Sequence, residues 1–145
     1  MLEFNLINED TDIYKVSEMA ASSFKNENHS MTLAISLEFE AMKRALEFET
    51  SFLLGAFSNQ ICVGFIWSKF ERQNKEVKIY NLFVEEAYRK QGIATKLKQE
   101  AEKWASQIGA HTIVSTVHAN NQQMIDINKS MDYEIEKVIM RKKLF

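Results

Sequence analysis

Residues 81 to 97 read Asn81-Leu82-Phe83-Val84-Glu85-Glu86-Ala87-Tyr88-Arg89-Lys90-Gln91-Gly92-Ile93-Ala94-Thr95-Lys96-Leu97. The stretch closes an apolar run, Val77 to Val84, turns cationic at Arg89 and Lys90, and passes through one glycine into a periodic pattern. Ile93, Leu97, Ala101, Trp104, Ala105 and Ile108 recur at i, i+4, i+8, i+11, i+12 and i+15, the spacing of a helix with one buried face. Gly109 supplies its C-terminal cap. A strand, a basic turn and a helix N-terminus thus follow one another. The N–H groups of a first helical turn have no intrahelical acceptor and lie at the positive end of the helix dipole, so the junction suits an anion such as a pyrophosphate. Gly92 and Ala94 leave room for an oxygen-rich ligand at the main chain, while Arg89, Lys90 and Lys96 supply charge. The turn matches neither Gly-x-x-x-x-Gly-Lys-Ser/Thr nor Gly-x-Gly-x-x-Gly, which argues against a P-loop nucleotidase and a dinucleotide fold.

Working outward toward the N-terminus, Ser51 to Phe57 and Ile61 to Phe70 are apolar runs separated by Ser58-Asn59-Gln60, the spacing of an antiparallel hairpin. Leu2 to Ile7 alternates, with Leu2, Phe4 and Leu6 on one side, and predicts a first strand. Asp10 and Thr11 offer N-caps to a helix carrying Ile13, Val16, Ala20 and Phe24. Thr32 to Glu49 fits both periods: Ile35, Phe39, Met42 and Leu46 make a helical face, whereas Leu33, Ile35, Leu37 and Phe39 alternate. The Ala, Met, Leu, Glu, Lys and Arg content of residues 38 to 47 selects helix. Beyond Gly109, Thr112 to Val117 is β-branched and predicts a strand, Gln122 to Met131 a short helix, and Tyr133 to Leu144 a closing strand.

Composition bounds the answer. The 145 residues, 46% apolar and 26% charged, suit one globular domain spanning 1 to 145. Proline is absent, and no low-complexity tract, linker or repeat divides the chain. A net charge of −2 with no basic patch gives nucleic acid or an acidic membrane nothing broad to bind. The longest near-continuous apolar run, Phe52 to Phe57, is far too short to span a bilayer, and no charged leader precedes an apolar segment. A cytoplasmic protein is expected. Cys62, the lone cysteine, lies in the apolar run Ile61-Cys62-Val63 without metal-ligand spacing around it, so it reads as a buried thiol and no metal is expected.

The segment from Asn81 to Leu97 resembles the acetyl-CoA signature of the GNAT N-acetyltransferases, whose kernel Gln/Arg-x-x-Gly-x-Gly/Ala is met by Arg89 to Ala94. The preceding strand ends in Leu-x-Val, the following helix is amphipathic, and Asn120-Asn121 with Lys129-Ser130-Met131-Asp132-Tyr133 is similar to a later family segment. The resemblance covers nearly the whole chain and is strongest over residues 77 to 133. It implies a mixed, mostly antiparallel sheet of six to seven strands flanked by about four helices, in which Val77 to Val84 and Thr112 to Val117 run parallel and splay apart. Coenzyme A enters that wedge. By the same resemblance Leu82, Phe83 and Val84 pair through their main chain with the pantetheine arm. N–H groups from Gln91 to Thr95 hold the pyrophosphate, and Asn121 contacts the coenzyme. The cofactor-binding set implied is thus Leu82, Phe83, Val84, Arg89, Lys90, Gln91, Gly92, Ile93, Ala94, Thr95 and Asn121, with acetyl-CoA as cosubstrate.

The implied reaction moves an acetyl group to a primary amine of a small molecule or peptide by direct attack in a ternary complex. The amine must be neutral: a lysine-like group of pKa ~10.4 is under ~0.1% neutral at pH 7, and an α-amino group near ~8 about a tenth. Relatives often place a glutamate base on the signature strand and a tyrosine acid on the late helix. Here those positions hold Lys78 and Asn128. Glu76, on the strand face of Lys78 and Tyr80, and His118, after the fifth strand, are the remaining base candidates, and each also fits a plain structural role. Asn128 can donate a hydrogen bond to a leaving thiolate but cannot protonate it. Two other readings stay open: an acetyl-CoA-binding regulatory module without catalysis, and an interaction domain without coenzyme. Substrate walls are expected around Phe24 to Leu46. A homodimer is left open, although Arg141-Lys142-Lys143 on the last strand would discourage edge pairing.

Overall fold

The computed structural model describes residues 2–22 and 30–145. Its elements run β1 (Leu2–Leu6), α1 (Asp10–Ser22), α2 (Met31–Phe48), β2 (Ser51–Ser58), β3 (Ile61–Glu71), β4 (Glu76–Val84), a 3₁₀ turn (Glu86–Tyr88), α3 (Ile93–Gln107), β5 (Thr112–Ser115) and α4 (Gln122–Ser130). The strands form one sheet in chain order, β1-β2-β3-β4-β5, antiparallel except for the parallel pair β4 and β5. Phe24, expected on the first helix, lies outside the described residues.

Each face of the sheet carries its own core. On one side Ile13, Val16 and Ala20 of α1 and Met42 and Ala45 of α2 pack on Leu53, Phe65 and Trp67. On the other, Ile93, Leu97 and Ala101 of α3 cover Leu54, Val63, Ile66 and Ile79. Full burial of a Leu or Ile side chain contributes roughly 1.5–3 kcal/mol. The ambiguous second segment is a helix, started by Ser30, whose side chain accepts from the Leu33 N–H at 3.1 Å. Its alternate-looking Leu33 and Leu37 face solvent. The β2–β3 turn places Asn59 and Gln60 at φ +50° and +69°, the sense that matches strand twist in a two-residue hairpin. Cys62 is buried, burial pushes its thiol up to about 11, and its S–H donates to the Gly64 carbonyl.

Two differences from the sequence reading matter. The sheet has five strands rather than six or seven, because residues 133 to 145 pair with no strand. And β5 stops at Ser115, two residues short of the β-branched run, where its ladder with β4 ends. Among the described residues no helix is long and apolar enough to cross a membrane.

Candidate functional site

The β4–β5 ladder joins Glu76 to Thr112, Val77 to Ile113, Lys78 to Val114 and Ile79 to Ser115, and then stops. One residue further, β4 bulges. Trp67 of β3 pairs with Asn81 while its neighbour Ser68 pairs with Ile79, which leaves Tyr80 as the extra residue. A bulge bends its strand and sharpens the local twist, so the end of β4 diverges from β5. Leu82, Phe83 and Val84 keep their β3 partners Ile66, Phe65 and Gly64 and have no strand on the other edge.

A cavity of about 1140 Å³ opens in this gap. Leu82, Phe83 and Val84 form one wall, and His118, Asn121 and the α4 residues Gln123, Met124, Asp126 and Ile127 another. Its floor is the turn into α3: Tyr88, Arg89, Lys90, then Gly92 to Thr95. Gly92 is the N-cap of α3 at φ +82°, ψ 6°, and no side chain caps the helix. The first helical bond at that end runs from the Lys96 N–H to the Gly92 carbonyl at 3.0 Å, so helix geometry leaves the N–H groups of Ile93, Ala94 and Thr95 without an intrahelical acceptor. They line the cavity. Lys90 also takes positive φ, +63°.

Arg89 is fixed in place. Its Nε donates to the Val84 carbonyl at 2.7 Å and its guanidinium lies 5.6 Å from the Phe83 ring centre, so the charge that faces the turn is held by the strand that precedes it. The remaining guanidinium N–H groups are available to a ligand oxygen. Asn121 caps α4: its Oδ1 accepts from the Met124 N–H at 3.1 Å. That contact leaves its amide N–H₂ free to turn toward the cavity.

Of the coenzyme residues expected from sequence, Leu82, Phe83, Val84, Arg89, Lys90, Gly92, Ile93, Ala94, Thr95 and Asn121 all line the cavity. Gln91 does not. Its amide reaches back to the Ala87 carbonyl at 3.5 Å, and only its main chain belongs to the turn. Of the three catalytic candidates only His118 is brought to the cavity. Glu76 begins β4, six residues before Leu82, which is about 20 Å along an extended strand. Asn128 of α4 is buried, does not line the cavity, and its Oδ1 has no hydrogen-bond partner among the described residues. Sequence reasoning missed Ser22, Tyr88, Gln123, Met124, Asp126 and Ile127. Asp126 is spaced one helical turn from Gln122, whose amide donates to it at 2.7 Å. That spacing was legible, but not which face of so short a helix would meet a cavity.

The Acetyltransferase (GNAT) family model matches residues 13–133. No curated protein matches the chain. Among solved structures, aminoglycoside N-acetyltransferase AAC(6')-Iy in complex with the bisubstrate analogue CoA-S-monomethyl-acetylneamine is 16% identical, with a TM-score of 0.76 over 99% of this chain and 98% of that one. The PaiA N-acetyltransferase of Thermoplasma acidophilum in complex with coenzyme A is 19% identical, with a TM-score of 0.77 over 96% and 93%. A transcriptional regulator from Bacillus halodurans is 18% identical, with a TM-score of 0.80 over 99% and 100%. At these identities the likeness is one of fold.

Proposed function

The chain belongs to the GNAT acetyltransferase family, and from that premise we propose that it transfers the acetyl group of acetyl-CoA to a primary amine of a small molecule or peptide, by direct attack within a ternary complex. One observation carries the reading: a single cavity joins an unpaired strand edge, Leu82 to Val84, to an uncapped helix N-terminus behind a cationic turn. The two halves of coenzyme A ask for those two surfaces. Its pantetheine amides need main-chain partners along an extended path, which the free edge of β4 offers. Its pyrophosphate needs N–H donors and positive charge, which Gly92 to Thr95, Arg89 and Lys90 offer. Coenzyme A is also what the AAC(6')-Iy analogue contains and what the PaiA complex holds.

In the proposed reaction the amine lone pair forms the C–N bond at the thioester carbonyl, the C–S bond breaks, and the coenzyme leaves as a thiolate. Orientation supplies much of the rate in such a step. His118, exposed on the cavity wall, is the proposed base that takes the ammonium proton. Asp126 is the only carboxylate among the lining residues and is proposed to attract the ammonium form of the acceptor. After attack the nitrogen gives up its second proton to solvent, and, with Asn128 not among the lining residues, the thiolate takes its proton from solvent as well.

A coenzyme-binding module without catalysis is the second reading, favoured by the placement of Glu76 and Asn128 outside the cavity. Both readings require binding, and one experiment separates them. Saturating acetyl-CoA at ~100 times Kd stabilises a native state by about 2.7 kcal/mol, and a thermal shift of that order is expected here. Gly92→Val should remove it: a β-branched residue at φ +82° is strained, although open space surrounds the new Cβ. A full shift retained in Gly92→Val defeats the site assignment. Thiol release from acetyl-CoA in a screen of polyamines, amino acids, aminoglycosides and peptide N-termini distinguishes the enzyme from the module.

A further inference from the structure

Three of the cavity's lining residues, Ile93, Ala94 and Thr95, open α3, and Lys98 follows in the next turn. The Lys98 side chain is fully buried, and its Nζ has no hydrogen-bond partner among the described residues. Burial of this kind disfavours the ammonium form and pulls Lys98 down to about 8. Ala94 and Lys98 are four residues apart and so share a helix face. That spacing sets a buried amine directly behind the wall on which the coenzyme's pyrophosphate is proposed to rest.

The surroundings of the amine leave its charge free to respond. On α3 itself Glu102, one turn further on, favours the ammonium, but desolvation outweighs it. From the segment after α4, the Tyr133 ring lies 4.1 Å from Lys98 Nζ, and burial pushes its phenol up, so Tyr133 stays neutral wherever Lys98 titrates. From α4 comes Asn128, an uncharged amide whose main-chain carbonyl accepts from the Tyr133 N–H at 2.9 Å. The sheet beneath α3 offers Leu54, Val63, Ile66 and Ile79, none of them charged. An anion arriving at the start of α3 therefore meets an amine that no close counter-ion has already fixed.

Helix rise places Lys98 roughly 5–8 Å along the axis from the amides of Ile93 to Thr95. An oxygen held on those amides thus lies on the order of 10 Å from Nζ. Two phosphate charges at that distance, at an effective dielectric constant of about 40, between ~20 near a protein surface and ~80 in water, favour the ammonium by about tenfold. We infer that Lys98 is a buried counter-charge for the coenzyme: docking of acetyl-CoA on the turn from Arg89 to Thr95 draws a proton from solvent onto Lys98. The inference rests on the coenzyme site proposed above. Its sign follows from linkage. The bound state holds the proton more tightly than the free state, so acetyl-CoA binds better at pH 7.5 than at pH 9.5, and the advantage is lost as pH rises through that range.

The test is calorimetric titration of the full chain with acetyl-CoA in two buffers of different ionisation enthalpy, whose heats count the protons taken up. A tenfold preference predicts uptake of about half a proton at pH 8.5 and a Kd that rises about sixfold from pH 7.5 to 9.5. The phosphates of acetyl-CoA titrate below this window, and its thiol is blocked. Lys98→Met has no proton to gain: it should lose the uptake, bind about eightfold more weakly than wild type at pH 7.5, and nearly match it at pH 9.5. Equal uptake in wild type and Lys98→Met overturns the inference and leaves the site standing, whereas a wild-type chain that binds no acetyl-CoA at any pH overturns the site itself. If Lys98→Met fails to fold, the ε-carbon NMR shifts of the wild-type lysines decide. One lysine should titrate near pH 8, and about one pH unit higher with acetyl-CoA bound; a midpoint that does not move overturns the inference.

Discussion

Lys98 is a fully buried amine on α3 with no hydrogen-bond partner among the described residues. Desolvation pulls it down from 10.5 to about 8, opposed by the neighbouring carboxylate of Glu102. At 1.36 kcal/mol per unit, holding the charged form in this site costs about 3 kcal/mol below pH 8. The face of Tyr133, 4.1 Å away, returns about 2 kcal/mol, the value of a desolvated cation–π contact. Desolvation wins, and the net cost at neutral pH is about 1–3 kcal/mol. The sign follows from proton counts. Between pH 8 and 10.5 the unfolded chain holds a proton that the folded chain has released, so stability rises with pH across that window, and the penalty is complete only below it.

Lys98→Met keeps an unbranched stem of similar length, loses the charge, and gains a sulfur that packs well beside an aromatic ring. It is expected to be about 1–3 kcal/mol more stable than wild type at pH 7, and the pH-dependent part of the gain should vanish by about pH 10.5. The measurement is urea unfolding followed by tryptophan fluorescence at pH 6.5, 8 and 9.5, at one fixed chain concentration. Taking the difference between variant and wild type cancels every other titration common to both. A Lys98→Met protein more than 1 kcal/mol less stable at all three values, with a flat difference, would refute the reasoning. Lys98 would then be compensated by a partner that outweighs its desolvation.

Two further outcomes are expected. Gly64→Ala places a Cβ 2.8 Å from the Phe83 carbonyl, main chain that moves only with β4, and should cost about 1–3 kcal/mol while weakening the acetyl-CoA thermal shift. Gly55→Ala meets only the ends of Ile7 and Phe57 and should cost less and leave the shift intact, so equal effects in both would contradict this account. His118→Ala should lower kcat/KM mainly at low pH, since higher pH frees the amine unaided, whereas Glu76→Ala should leave the profile unchanged. A loss in His118→Ala that is uniform with pH would mark positioning rather than proton transfer.

How far each feature was legible in the sequence follows from the range of the interactions that set it. The α3 face was plain because Ile93, Leu97 and Ala101 repeat one local period, and Gly92 was plain because a left-handed N-cap favours glycine. The cavity floor comes from one short stretch, Tyr88 to Thr95, and ten of the eleven coenzyme positions expected from sequence line the cavity. The catalytic candidates fared differently. Asn128 was reached by counting along the chain and Glu76 by sharing a strand face with Lys78 and Tyr80, and neither argument sees where the β4–β5 ladder ends or which way α4 is turned; neither residue lines the cavity. The closing strand failed for a related reason. Tyr133 to Leu144 has strand composition, but composition alone makes no ladder, and the segment pairs with no strand among the described residues.

The bulge at Tyr80 joins these observations into one physical argument. A parallel pair that stayed in register along all of β4 would satisfy the backbone of Leu82 to Val84 internally, and no extended ligand could pair there. The extra residue ends the ladder at Ile79–Ser115, and its twist turns three residues of main chain into an unpaired edge beside the α3 N-terminus. The same early ending keeps β5 to four residues, too short to hold a long strand on its outer side by itself. The gap proposed for the coenzyme and the unpaired state of the last thirteen residues thus have a common origin in where β4 and β5 part.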